Sequence, residues 1–149
     1  MKRRLMIGFV LAAALGCQLP PDQQDTYRPL REHGPRLNFD DLVSRARRQA
    51  DLALAASYND NWGDLQDLAI ALRQTAELLP STADAPDLKK DQETRKTIGE
   101  LSRDATRLTT AAKEVNRLTG MDKEKKIKEM NNLLIGINKA VRTLPRRQE

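Results

Sequence analysis

The feature that most constrains the fold is a seven-residue apolar repeat in the last third of the chain. Apolar side chains recur at alternating steps of three and four residues between 98 and 115, and again between 127 and 144. This spacing lines one face of an α-helix and favours antiparallel helix packing at about 20°. The repeats consist of Ile98, Leu101, Ala105, Leu108, Ala112, Val115, then Ile127, Met130, Leu134, Ile137, Val141 and Leu144.

Two earlier segments carry apolar stripes of the same kind. We predict helices over 38–58 and 62–79, with Asn38 and Asn61 as N-caps because their side chains accept hydrogen bonds from free backbone N–H groups. Connections between the segments are short, so residues 38–145 are expected to form an all-α, antiparallel up-down-up-down four-helix bundle. The two stripes consist of Phe39, Leu42, Val43, Ala46, Ala50, Ala53, Leu54, then Trp62, Leu65, Leu68, Ala69, Leu72, Ala76 and Leu79.

The third and fourth helices are predicted over about 87–118 or 119 and about 122–144. The third is then about 48 Å long at 1.5 Å per residue, longer than the others. Its first turns, LKKDQETRK, are therefore expected to project beyond the core or to fray. Gly120 is expected to end it at a C-cap position.

The first sixteen residues have the composition of an export signal. A short basic stretch, 2–4, precedes an apolar run of eleven residues, 5–15. That run is too short for a bilayer of about 30 Å but fits the apolar region of a signal peptide, about 7–15 residues. The string Ala14-Leu15-Gly16-Cys17 resembles the lipobox of bacterial lipoproteins, and Cys17 is the single cysteine of the chain.

The resemblance implies that diacylglycerol is attached to the Cys17 thiol, and that cleavage makes this residue the N-terminus, whose amine is often acylated too. Membrane lipid is then the first partner, and the cell envelope is the location. Gln18 favours the outer membrane by analogy. Two alternatives stay open: an ordinary secretory leader with an A-x-A site at Ala12-Ala13-Ala14, and a retained N-terminal anchor.

Residues 17–37 read as a lipidated cysteine followed by a flexible tether. Positions 18–37 hold four prolines and few apolar residues, which is typical of extended chain. Twenty such residues span at most about 66–72 Å. His33, the single histidine, falls in this tether and is expected to be an exposed linker residue.

Charge is segregated along the chain. The full sequence carries +5, whereas residues 17–149 hold 23 Lys and Arg against 21 Asp and Glu, a net charge of +2. So small an excess does not favour nucleic-acid binding. The start of the third helix and the end of the fourth share one end of the bundle, where basic residues are predicted to form a surface for an acidic polymer, lipid headgroups or an acidic envelope protein. This surface comprises Lys89, Lys90, Arg95, Lys96, Arg146 and Arg147. A second basic stretch comprises Lys123, Lys125, Lys126 and Lys128.

The chain lacks the side-chain combinations that cofactor or catalytic sites need. In helix number and length the bundle resembles cytochrome c-prime proteins, but the C-x-x-C-H haem motif is missing. We expect no haem or other cofactor, no metal site and no enzymatic activity. The cluster at the turn between the first and second helices, Asn59, Asp60, Asn61 and Asp64, is expected to serve turn and capping chemistry. The predicted function is a membrane-anchored, non-enzymatic interaction or scaffold module. The alternative is a small-ligand or cofactor-binding bundle, which an apolar cavity lined by the alanine-rich first helix would favour.

Overall fold

A computed structural model of the chain describes residues 26–30, 37–82, 86–87 and 90–145. Its four long helices are α1 (Phe39–Tyr58), α2 (Trp62–Leu78), α3 (Gln92–Val115) and α4 (Gly120–Thr143). Each helix packs against the next one along the chain, and α4 also packs against α1. The predicted all-α, antiparallel four-helix bundle is therefore confirmed.

The bundle has two ends, called basal and apical below. At the basal end α1 and α3 begin and α2 and α4 end, whereas the apical end holds the α1–α2 and α3–α4 turns. The predicted leader, residues 1–16, and Cys17 lie outside the described residues. Within the described ranges, no helix is both long enough and apolar enough to span a bilayer.

The predicted apolar stripes form the core. Every member is buried except Leu54 and Ile127, which are half-buried and pack against the core from its edge. Leucine, isoleucine, valine and methionine side chains fill the centre, and each contributes about 1.5–3 kcal/mol when fully buried. The alanines of α1, Ala46, Ala50 and Ala53, have no exposed surface and allow close approach of the neighbouring helices.

The first two helices begin where the sequence predicts. The Asn38 side chain accepts a hydrogen bond from the Asp41 backbone N–H (2.7 Å). The Asn61 side chain accepts one from the Asp64 backbone N–H (3.3 Å). Each bond satisfies a donor that the first turn of a helix leaves free. Helix α2 ends at Leu78 and continues into a 3₁₀ turn, Leu79–Ser81, which contains Pro80.

The third helix is shorter than predicted at both ends. It begins at Gln92 because Asp91 caps it: the Asp91 carboxylate accepts from the Thr94 N–H (2.9 Å) and the Thr94 hydroxyl (2.7 Å). It ends at Val115 in a turn that precedes Gly120. Of the stretch LKKDQETRK, predicted to project or to fray, Lys90 and Asp91 precede the helix, and residues 88 and 89 lie outside the described residues. Thr94 is buried, so the first turn of α3 packs on the bundle and does not project beyond the core.

The cap at Asp91 makes a prediction about pH. Hydrogen bonds from the Thr94 hydroxyl and N–H lower the pKa of the Asp91 carboxyl below its ordinary value of 3.8. The stabilisation is therefore complete above that value and is lost as pH falls through the lowered pKa. Asp91→Asn keeps a capping oxygen but does not titrate. We expect the urea midpoint of the wild type, measured relative to that of Asp91→Asn, to be lower at pH 2.5 than at pH 6. A difference that stays constant between the two pH values would contradict the cap.

The part of the bundle that projects is the α3–α4 turn at the apical end. The Ser57 hydroxyl, in the last turn of α1, donates to the Asn131 side chain (2.7 Å). Eleven residues of α4 precede Asn131, about 16 Å of helix, so this hairpin extends past α1. No residue from 116 to 129 is buried. Gly120 starts α4 with φ of +56° and does not cap α3, so its predicted role is wrong.

Part of the predicted tether packs against the bundle. Residues 26–30, called the docked segment below, lie against α1 and α2. Thr26 is buried, and Tyr27 and Leu30 pack against the core. The prediction of unpacked chain is therefore wrong for these residues, because polar side chains of the bundle bind their main chain. His33 lies outside the described residues.

Candidate functional site

The described members of the predicted basic surface all project from the start of α3. Lys90, Arg95 and Lys96 are exposed. The Lys90 Nζ lies 3.4 Å from the Asp87 carboxylate, and the Lys96 Nζ lies 3.9 Å from the Glu100 carboxylate. Exposed ion pairs of this kind contribute at most about 1 kcal/mol, so the amines remain available to a partner. The other predicted members, Lys89, Arg146 and Arg147, lie outside the described residues.

A second basic feature lies toward the basal end, between α1 and the last turn of α4. It is an open notch of about 440 Å³, called the arginine notch below, lined by Ser44, Arg47, Arg48, Asp51 and Arg142. Sequence reasoning missed it, although the run RARRQ at 45–49 places three arginines on adjacent faces of α1. The proximity of Arg47 and Arg48 to the end of α4 depends on the packing register of α1 and α4, which are far apart in sequence.

Arg47 joins the two helices that form the arginine notch. Its Nε donates to the Val141 carbonyl (2.8 Å), and its Nη2 donates to the Leu144 and Arg142 carbonyls (2.9 and 3.4 Å). The last four carbonyls of a helix have no partner inside that helix. One guanidinium therefore caps the C-terminus of α4, where a positive charge also interacts favourably with the helix dipole.

We expect Arg47→Ala to lower the free energy of unfolding by about 1–3 kcal/mol, since hydrogen bonds from charged donors contribute on that scale. Arg48→Ala is the matched control: it removes the adjacent, exposed guanidinium and is expected to stay within about 0.5 kcal/mol of wild type. Urea unfolding followed by circular dichroism measures both. Equal effects of the two variants would contradict the capping role of Arg47.

The remaining arginines of the notch face solvent. The Arg142 Nη2 lies 3.4 Å from Asp51 Oδ1 in an exposed pair, and Arg48 is exposed. A guanidinium presents a planar set of donors that matches a carboxylate or phosphate group. The chemistry of this notch is therefore binding of an anionic group, at the same end of the bundle as Arg95 and Lys96.

Two of the four lysines in the second basic stretch, at the start of α4, make contacts within the bundle. Lys126 Nζ lies 3.0 Å from both the Glu114 and the Glu129 carboxylates, and hydrogen bonds to them raise the pKa of this amine. Lys123 Nζ lies over the Trp62 ring, 5.9 Å from its centre, in a cation–π contact. The other two, Lys125 and Lys128, are exposed.

The described residues, 26–30, 37–82, 86–87 and 90–145, contain no group of three or more His, Cys, Asp or Glu side chains placed to hold a metal ion. The polar network between α3 and α4, in which Arg107 lies 3.9 Å from Glu129 and 4.0 Å from Asp104, is an ion-pair network on the surface. No protein-family model, curated protein or solved structure matches the chain.

Proposed function

We propose that this chain is a bacterial envelope lipoprotein, anchored by acyl chains on Cys17, whose helical bundle is a non-enzymatic module that binds an acidic partner. The anchor is supported by the leader and by the Ala14-Leu15-Gly16-Cys17 string. One acyl chain holds a protein only reversibly, whereas the two or three that lipoprotein processing adds hold it stably. The outer membrane is the favoured site, by the analogy that Gln18 provides.

The binding role is carried by one observation, the arginine notch between α1 and the last turn of α4. Arg48 and Arg142 are exposed there, and Arg95 and Lys96 project at the same end of the bundle. We call these four side chains the basal basic surface. Surfaces of one sign attract partners of the opposite sign and steer their approach. An acidic envelope protein or an acidic polymer is therefore the partner that we propose.

Charge reversal at the basal basic surface tests this proposal. Membranes carrying the acylated chain are cross-linked and solubilised, and the chain is isolated with its partner. We expect Arg48→Glu combined with Lys96→Glu to reduce partner recovery at least fivefold, and added salt to reduce recovery by the wild type.

The matched control reverses two exposed lysines at the apical end, Lys113→Glu and Lys125→Glu, with the same change in net charge. Recovery with this control is expected to stay near wild type. Equal loss with both pairs would reduce the effect to net charge alone. Unchanged recovery with the basal pair would contradict the assigned surface.

A further inference from the structure

The docked segment is held by side chains that bind its main chain. Gln74 of α2 pairs with Leu30 in both directions: the Leu30 N–H donates to Gln74 Oε1 (2.6 Å), and Gln74 Nε2 donates to the Leu30 carbonyl (3.0 Å). On α1, Gln49 Nε2 donates to the Thr26 carbonyl (3.1 Å). The bundle therefore binds the main chain of the docked segment, whose first two residues, Thr26 and Tyr27, are helical.

The same contacts fix the direction of the docked segment. Gln49 binds the carbonyl of Thr26, and Arg45, one turn closer to the start of α1, donates to the carbonyl of Arg28. The segment therefore runs antiparallel to α1, toward the basal end. Thr26 is held beside the middle of α1, about 15 Å along the helix from its first residue, Phe39.

The groove beneath the docked segment contains a glutamine that needs a partner. Gln49 has no exposed surface, and its Oε1 accepts no hydrogen bond within the described part of the chain. A buried amide is unfavourable unless it is hydrogen-bonded, and Thr26 supplies the acceptor for its NH2 group. Tyr27 packs close by, where burial and the nearby Asp64 carboxylate raise the pKa of its phenol.

Most of the docked segment nevertheless lies at the surface of the bundle, and Thr26 is its one buried residue. Arg28 and Pro29 are exposed, and Tyr27 and Leu30 are half-buried. The four helices pack against one another without it. Segments with few buried contacts open locally, well before the fold as a whole does. The segment can therefore detach while the bundle stays folded.

We propose that the docked segment is a releasable strap that sets how far the bundle stands from the membrane. This inference rests on the proposed acylation of Cys17. While the strap is docked, nine Cα–Cα steps lead from Cys17 to the attachment point at Thr26, a reach of at most about 32 Å. When it is released, 21 such steps lead from Cys17 to Asn38, a reach of at most about 76 Å.

Release also moves the attachment point. The docked strap holds the bundle by the middle of α1, close to the anchor, whereas the released chain holds it by the start of α1. The greatest distance that the apical end, which carries Trp62, can reach from the membrane then increases by both the added chain and the added length of helix. Docked and released states thus present the bundle to partners at different distances from the lipid surface.

Trp62 is the single tryptophan and serves as the probe. The full acylated chain is placed in vesicles of phosphatidylethanolamine and phosphatidylglycerol that contain a dansyl-labelled lipid, and energy transfer from Trp62 is measured. Gln74→Leu removes both hydrogen bonds to Leu30, and we expect it to lower the transfer at least twofold. Gln66→Leu is the matched control, because Gln66 is a half-buried glutamine two turns earlier on the same helix; its transfer is expected to match wild type.

Amide hydrogen exchange supplies a second readout that needs no lipid. We expect the Leu30 N–H to exchange at least tenfold faster in Gln74→Leu than in wild type or Gln66→Leu. Circular dichroism checks that each variant stays folded. If Gln74→Leu unfolds, Gln49→Leu replaces it, because Gln49 binds the Thr26 carbonyl. Unchanged exchange and unchanged transfer on an acylated chain would overturn the strap alone. An unmodified Cys17 would overturn the proposed anchor, and with it the role of the strap at the membrane.

Discussion

Replacing Leu134 with alanine is expected to lower the free energy of unfolding by about 3–5 kcal/mol, because it removes buried methyl groups and leaves a cavity. Leu134 has no exposed surface and lies at the centre of the α4 stripe. Small domains are stable by only about 5–15 kcal/mol, so this change removes a large share of the total. Urea unfolding of the full chain in a Cys17→Ser background measures it without acyl chains.

The control is the next residue along the helix. Ile135 is 58% exposed on the outer side of α4, and Ile135→Ala is expected to change stability by less than about 0.5 kcal/mol. Should Leu134→Ala fail to fold, Leu134→Met keeps the volume and is expected to cost less than about 1.5 kcal/mol. Similar losses for Leu134→Ala and Ile135→Ala would contradict the orientation of α4 in the bundle.

Replacing Cys17 with serine is expected to move the chain from the membrane fraction to the aqueous fraction almost completely. Each buried CH₂ of an acyl chain contributes about 0.8 kcal/mol, so losing two or three chains removes essentially all of the anchoring. Fractionation of cells, followed by a carbonate wash to remove loosely bound protein, measures the distribution of wild type and Cys17→Ser.

The fractionation also separates the alternatives for the leader. If the apolar run 5–15 were retained as an anchor, Cys17→Ser would stay with the membrane. If the leader were an ordinary secretory signal, wild type and Cys17→Ser would both be released. Only acylation predicts that the wild type is held and the variant is lost.

The helices were predictable because their apolar spacing and caps are local. The seven-residue repeat alone identifies the buried face of α3 and α4, and Asn38 and Asn61 cap the helices that follow them. The start of α3 was predicted too early because LKKDQETRK has a helix-compatible composition. Asp91 instead caps the helix by accepting hydrogen bonds from Thr94, so the helix begins after it. Composition does not reveal whether Asp91 lies inside the helix or caps it.

The contacts between distant segments were not predictable in the same way. Arg47 caps α4 across 94 residues of sequence, which requires the packing register of α1 and α4. The hydrogen bonds that dock residues 26–30 use the main chain as ligand, which gives no sequence signal. Tyr27 and Leu30 also pack against the core, but two apolar residues in a proline-rich stretch do not indicate packing. Gln49 was the available hint, because it is a polar residue on a buried face of α1, one position before Ala50.

The most direct test of the account is the mass of the N-terminal peptide of the chain extracted from bacterial membranes. If Cys17 is acylated, the peptide begins at Cys17 and carries diacylglycerol on its sulfur, with a further acyl group on the amine where that step occurs. A peptide that begins at another residue, or that begins at Cys17 with a free thiol, would contradict the account.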